Sequence, residues 1–167
     1  MLPHPTPTPP GPGQESCWDY PRPPRLETST KHVKVIVGDT VLGATSKALR
    51  VLETSHPPVW YLPMTDVRME HLELIEGQRT FCEFKGFCRY WNLAMGEDRR
   101  PVVAFSYEQL VPDFGAMKDH IGFYAGRVDA CFVDGERVRP QEGDYYAGWI
   151  TGDVVGPFKG PPGTRFW

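Results

Sequence analysis

The sequence has no excess of positive charge and no long apolar run. Its 18 Lys and Arg residues stand against 21 Asp and Glu, which gives a net charge of −3 over 167 residues. Nucleic acids and anionic membrane surfaces attract proteins mainly through surplus positive charge. No run approaches the roughly 18 apolar residues that a membrane-spanning helix needs. We therefore expect neither nucleic acid nor membrane among the partners of this protein.

Common catalytic and metal-binding motifs are also missing. The chain has no G-x-S-x-G, no H-E-x-x-H, no phosphate-binding P-loop and no G-x-G-x-x-G that opens a helix. The four cysteines (Cys17, Cys82, Cys88 and Cys131) include no C-x-x-C pair. On one extended strand, Cys82 and Cys88 would lie roughly 20 Å apart. We therefore expect no metal, no cofactor, and free thiols in a reducing, cytoplasmic environment.

Proline and glycine, in contrast, are abundant, with 18 and 17 residues. Half of the prolines lie within residues 1–24, where each fixes φ and removes a backbone donor. We interpret residues 1–14 as a disordered Pro-rich tail and residues 15–167 as one β-rich domain. A second Pro/Gly-rich stretch, residues 156–163, lacks the backbone donors of a phosphate loop, so we interpret it as a tail that wraps around the domain.

Short apolar segments between turn signals predict a mainly β protein. Val33, Val35 and Val37 recur with a period of two, and Asp134-Gly135 is a typical hairpin turn. Residues 48–52 fit a strand or a helical turn, and residues 112–120 fit a short helix. The remaining predicted strands are 41–42, 59–62, 67–73, 79–84, 87–93, 102–107, 128–133 and 149–151. This pattern indicates a small single domain of folded antiparallel sheets with one or two short helices.

Three titratable groups are candidates for proton transfer or anion binding. His56 titrates near neutral pH, and Glu53 could orient its imidazole as a general base. Lys85, in an aromatic setting, could act as a base or bind an anion. The structural alternatives are a polar turn at His56 and an ordinary ion pair at Lys85.

A fourth candidate, Asp129, would share a strand face with Arg127, which also fits a structural ion pair. Aromatic side chains and one arginine accompany these groups, as in many ligand pockets. The side chains that we expect to bind a ligand are Trp18, Tyr20, Arg22, Tyr61, Tyr90, Trp91 and Tyr124.

The chain resembles the family known as domain of unknown function 427, which also carries a nucleotidyltransferase-like label. The stretches that carry the resemblance are ESCWDYPRPP (15–24), ALRVLETSHPPVWYLP (48–63), CEFKGFCRYW (82–91), DHIGFYAGRVDACFVDGE (119–136) and GWITGDVVGPFKGPPGTRFW (148–167). The resemblance implies a β-tent, a small fold of antiparallel sheets. It does not imply nucleotidyl transfer here, because no paired acidic residues stand beside a Gly-Ser type loop.

Together these features predict a cofactor-independent enzyme that acts on a small molecule in an aromatic-lined pocket. The residues do not distinguish a lyase, isomerase, cyclase or hydrolase. The alternative is a non-catalytic module that binds a nucleotide or metabolite through the same cations. A third hypothesis is an interaction protein that works through the Pro-rich tail. A homodimer is left open.

Overall fold

Residues 4–167 are described by a computed structural model, in which strands occupy most of the regular structure. Alternating apolar residues form these strands because one face of each can be buried. The strands are β1 Glu15–Ser16, β2 Arg25–Thr28, β3 Val33–Val37, β4 Thr40–Thr45, β5 Leu49–Leu52, β6 Val59–Pro63, β7 Leu72–Cys82, β8 Gly86–Met95, β9 Asp98–Glu108, β10 His120–Phe123, β11 Ala130–Val133, β12 Glu136–Arg137, β13 Arg139–Pro140, β14 Trp149–Ile150 and β15 Val154–Val155.

Two antiparallel sheets form most of the domain, and two short pairs of strands, β1-β15 and β13-β14, complete it. The larger has seven strands in the order β2-β5-β6-β10-β9-β8-β7, and the smaller has four in the order β12-β11-β3-β4. The main core lies between them and includes Val35 and Leu42 of the smaller sheet and Trp60, Leu93 and Phe123 of the larger. The predicted mainly β single domain of antiparallel sheets is confirmed.

Helical structure is limited to short 3-10 segments in the part of the chain described. Residues 112–120, predicted as a helix, contain the 3-10 helix Pro112–Met117. The strand predicted over residues 67–73 is wrong, because the 3-10 helix Met69–His71 interrupts it and β7 begins only at Leu72. None of the helices within residues 4–167 is long and apolar enough to cross a membrane.

The N-terminal segment runs along the domain and joins the C-terminal tail. Residues 4–10 have no regular secondary structure, yet the backbone N–H of Thr8 donates to the carbonyl of Gly156 over 2.8 Å. Further on, β1 pairs in parallel with β15, where Glu15 stands opposite Val154. The disorder of residues 1–14 in solution remains a prediction, and residues 1–3 lie outside the described residues.

A buried arginine ties this N-terminal segment to the large sheet. Arg50 of β5 donates to Glu15 and to Glu27 over 2.6 Å each, and its guanidinium lies 5.7 Å from the ring centre of Trp60. Its side chain is only 9% exposed, so these carboxylates replace the water that the cation loses. The hydroxyl of Tyr20 donates to the same oxygen of Glu15 over 2.7 Å.

We expect Arg50→Met to lower the free energy of unfolding by about 2 kcal/mol, because it removes charge-assisted hydrogen bonds that hold two partly buried carboxylates. The matched control is Arg25→Met, since Arg25 is 57% exposed and reaches Glu27 at 3.5 Å. Exposed pairs of this kind contribute about 0–1 kcal/mol. Urea unfolding of both variants makes the comparison, and equal losses would contradict it.

Candidate functional site

A cavity of about 380 Å³ opens on the face of the seven-stranded sheet that points away from the main core. The sheet forms its floor, and the turn after β7, the loop after β13 and the C-terminal tail form its sides. The residues that line it are Glu53, His56, Val59, Tyr61, Cys82, Phe84, Lys85, Cys88, Tyr90, Phe105, Tyr107, Tyr124, Gln141, Tyr145, Tyr146, Ala147 and Lys159.

The period of two along each strand explains why this floor is aromatic. On β6, Trp60 and Leu62 pack into the main core, so Tyr61 between them faces the cavity. On β8 and β9 the register sets Tyr90 opposite Phe105 and aligns aromatic side chains across neighbouring strands. Burial holds the pKa of Tyr61 well above its ordinary value, so this phenol stays protonated.

His56 and Glu53 lie at one side of the cavity. The ring Nδ1 of His56 lies 3.0 Å from the carbonyl oxygen of Thr54 and 3.7 Å from Glu53 Oε2. A carbonyl can only accept, so the neutral ring carries its proton on Nδ1 and a lone pair on Nε2. Arg22 reaches the same Glu53 oxygen at 3.5 Å and donates to the Thr54 carbonyl over 2.9 Å.

The surroundings of His56 favour its neutral form. Burial is the largest effect and lowers its pKa, while the Glu53 carboxylate acts in the opposite direction. The nearby cations Lys159 and Arg22 lower the pKa further. Near neutral pH the imidazole is therefore uncharged, which is the form that can accept a proton.

Two lysines bring positive charge to the cavity. The Nζ of Lys85 lies 4.7 Å from the ring centre of Tyr107, and the Nζ of Lys159 lies 6.0 Å from that of Tyr146. Within residues 4–167, neither ammonium is within 4 Å of an Asp or Glu carboxylate. The cavity therefore offers two cationic groups to an anionic ligand.

The C-terminal tail places Lys159 beside His56. The backbone N–H of Lys159 donates to the carbonyl of Ser55 over 2.8 Å, and its own carbonyl accepts from Gln141 Nε2 over 2.8 Å. The oxygen of the same Gln141 amide accepts from the N–H of Gly148, which closes the 141–148 loop. The tail thus forms a wall of the cavity as well as wrapping the domain.

Six of the eleven predicted site residues meet in this cavity: Glu53, His56, Tyr61, Lys85, Tyr90 and Tyr124. Arg22 contacts the site through Glu53 without lining the cavity. Trp18 and Tyr20 lie elsewhere, because the indole of Trp18 donates to the Pro157 carbonyl over 2.9 Å and packs near Trp167. These two side chains fasten the N-terminal segment to the domain.

The structure separates Trp91 and Asp129 from the other predicted site residues. Trp91 follows Tyr90 on β8 and so faces the opposite side, where it lines another cavity of about 440 Å³ and donates to Ser106 over 2.9 Å. Asp129 is exposed and pairs with Arg100 at 3.0 Å. The N–H of Gly38 and that arginine lower the pKa of Asp129, as in an ordinary ionised surface carboxylate.

The positions of Cys82 and Cys88 differ from the single extended strand that was assumed from their spacing in the sequence. Cys82 ends β7 and Cys88 lies on β8, so the two stand on neighbouring strands rather than on one extended strand. Both line the cavity, and all four cysteines are free thiols. Burial is the largest effect on the pKa of Cys88 and raises it. In the described part of the chain, no group of three or more His, Cys, Asp or Glu is arranged to hold a metal ion.

Several cavity residues were missed at the level of sequence. Phe105 and Tyr107 could have been found, because they alternate along a predicted strand and therefore share a face. Lys159, Gln141 and Tyr146 gave no such signal, since only the folding of the C-terminal tail and of the 141–148 loop onto the domain brings them to the side of the cavity where His56 lies.

The fold and this site define a class: a small antiparallel β domain with one aromatic, cationic cavity on the outer face of its larger sheet. The family described as domain of unknown function (DUF427) matches residues 25–134, about two thirds of the chain, and the chain belongs to that family. The matched segment includes His56 and Lys85, whereas Lys159 lies beyond it. No curated protein matches the chain.

Gly160 offers a test of the role of the tail. Its φ is +144°, and a Cβ there would clash with the carbonyl oxygen of Glu142. We expect Gly160→Ala to lower the free energy of unfolding by about 1–3 kcal/mol more than Gly163→Ala. Gly163 also has a positive φ, of +87°, but a Cβ there meets nothing within 4 Å. Thermal unfolding of both variants measures the difference, and similar losses would show that backbone strain alone matters.

The effect of the neighbouring charges on the pKa of His56 can be measured by NMR titration of its ring. We expect the midpoint below the ordinary value for histidine, lower still in Glu53→Gln, and higher in Lys159→Met. The reason is that an anion favours the imidazolium and a cation disfavours it. Lys118→Met serves as the control because Lys118 lines the other cavity, and it should leave the midpoint unchanged. A rise in Glu53→Gln would contradict the arrangement.

Proposed function

We propose that this chain is a cofactor-independent enzyme that moves a proton on a small anionic or carbonyl-bearing molecule bound in the tyrosine-lined cavity. The proposal extends to a lyase, isomerase, cyclase or hydrolase without choosing among them. The observation that carries it is the convergence of neutral His56, two lysines that pair with no Asp or Glu among the described residues, and a floor of aromatic rings.

The proposed base is Nε2 of His56. The Thr54 carbonyl holds the ring through Nδ1, and Glu53 stabilises the imidazolium that forms when Nε2 accepts a proton. Arg22 in turn holds Glu53, so the pair keeps its orientation. Among the described residues, Nε2 has no hydrogen-bond partner, which leaves it free to contact a ligand in the cavity.

Lys85 and Lys159 are the proposed anion-binding groups. A volume of about 380 Å³ is within the range of small-molecule sites, and the tyrosine rings suit a planar or unsaturated ligand. Water is largely excluded from the floor, where Tyr61 is 1% exposed, so each charge acts more strongly than at the surface.

The alternative function is a non-catalytic module that binds a nucleotide or metabolite. The observation in its favour is that each lysine lies over a tyrosine ring, an arrangement that can hold an anion and a flat ring without any proton transfer. This alternative needs Lys85 and the tyrosines but does not need His56.

Three further properties belong to the same proposal. The two packed antiparallel sheets support a β-tent as the type of fold. Four free thiols support a reducing location such as the cytoplasm. A small molecule is the proposed partner, with neither nucleic acid nor membrane, and a homodimer is compatible with the site.

The test begins with a thermal-shift screen of small carboxylic acids, carbonyl compounds and nucleotides. A ligand at 100 times its dissociation constant stabilises the fold by about 2.7 kcal/mol. For each ligand found, exchange of its carbon-bound hydrogens in D₂O is followed by NMR. We expect the wild type to catalyse exchange, His56→Gln to bind without exchange, and Lys85→Met to bind an anionic ligand about tenfold more weakly.

Lys118→Met is the matched control, because it removes a lysine from the other cavity and should change neither binding nor exchange. Binding without exchange by the wild type would favour the non-catalytic module. Exchange that survives in His56→Gln would overturn the assignment of the base.

A further inference from the structure

Lys159 comes from the C-terminal tail and has different neighbours from Lys85. We propose that the amine of Lys159 is a nucleophile that forms an imine with a carbonyl group of the substrate. This inference rests on the proposed function and narrows its substrate class to aldehydes or ketones that also carry an anionic group, such as 2-oxo acids.

The position of Lys159 is the first argument. Both backbone polar groups of Lys159 are hydrogen-bonded: its N–H donates to the Ser55 carbonyl, and its carbonyl accepts from the Gln141 side chain. The side chain of Lys159 therefore begins close to His56. The Nζ group donates to the backbone oxygen of Trp167 over 3.3 Å, a long contact that the amine can release. Lys85, in contrast, comes from the turn between β7 and β8 on another side of the cavity.

The charges around Lys159 are the second argument. The charged or titratable side chains near Lys159 include Arg22, Glu53, His56 and Tyr146. Of these, Glu53 is already engaged by Arg22 and by the His56 ring. A lysine that is desolvated or close to another cation becomes a better nucleophile, because more of it is the free amine. In agreement, burial and Arg22 lower the pKa of Lys159, against a smaller opposite effect of Glu53.

The chemistry balances without an oxidant or a cofactor. The lone pair of Nζ attacks the carbonyl carbon, a C–N bond forms, and the π electrons of the C=O bond move to oxygen. A proton passes from the nitrogen to this oxygen and gives a neutral carbinolamine. Its hydroxyl group takes a second proton from solvent and leaves as water, and the nitrogen lone pair forms the C=N bond of an iminium ion. That cation withdraws electrons from the neighbouring C–H bond, whose proton Nε2 of His56 can accept. Lys85 then binds the anionic group of the substrate.

Borohydride trapping tests the inference directly, because it reduces an imine to a stable amine. The full chain is incubated with pyruvate or phenylpyruvate, treated with sodium borohydride, and analysed by intact mass and peptide mapping. We expect the wild type to gain one reduced probe on Lys159. The Lys159→Arg variant keeps the positive charge and should not be labelled. The Lys85→Arg variant should still be labelled on Lys159.

Binding of the same probes is measured in parallel by ligand-observed NMR. Probes that bind without labelling would overturn the imine and leave the proposed function intact, with Lys159 as an anion-binding group. Label on Lys85, or spread evenly over surface lysines, would also overturn the inference, as would no label with either probe. Lys159→Met is a second variant in case the arginine is too large for the cavity, and thermal unfolding verifies that each variant is folded.

Discussion

The pairing of the buried Arg50 guanidinium with two glutamates is the interaction on which the placement of the N- and C-terminal segments depends. It holds Glu15 and Glu27 together, and so attaches β1 to the edge of the large sheet where β2 pairs with β5. Because β1 pairs in parallel with β15, the same anchor positions the start of the C-terminal tail. Four residues after β15, that tail carries Lys159, whose backbone N–H binds the carbonyl of Ser55, the residue before His56. A charge network remote from the cavity thus contributes to its geometry.

The two faces of the seven-stranded sheet have different surroundings. One face packs against the small sheet through side chains such as Trp60 and Leu62, and the other presents Tyr61 and Tyr90 to the cavity. Since successive residues of a strand alternate between faces, one substitution can act on the core and the next on the cavity. Core packing and the lining of the cavity can therefore change independently in this chain, even at adjacent positions.

Most of the fold and about half of the site could be predicted from sequence, for local reasons. Valines with a period of two and the Asp134-Gly135 turn specify strands and a hairpin over a few residues. The same period predicts that Trp91 cannot share a face with Tyr90, although both were assigned to one pocket. Residues 69–71 folded as a 3-10 helix despite a strand-like alternation. Lys159 was beyond prediction, because its place depends on backbone bonds between residues a hundred positions apart.

The C-terminal tail has a consequence for how the cavity opens. Beyond the two-residue strand β15, the tail is held by isolated hydrogen bonds, such as those of Lys159 to Ser55 and Gln141, and not by a sheet ladder. Segments of this kind can detach in local openings that cost less than global unfolding. A molecule could then enter while the sheets remain folded, and its contacts with Lys159 would favour return of the tail. The cavity would then open by local detachment of the tail, without unfolding of the sheets, and a bound molecule would hold the tail in its closed position.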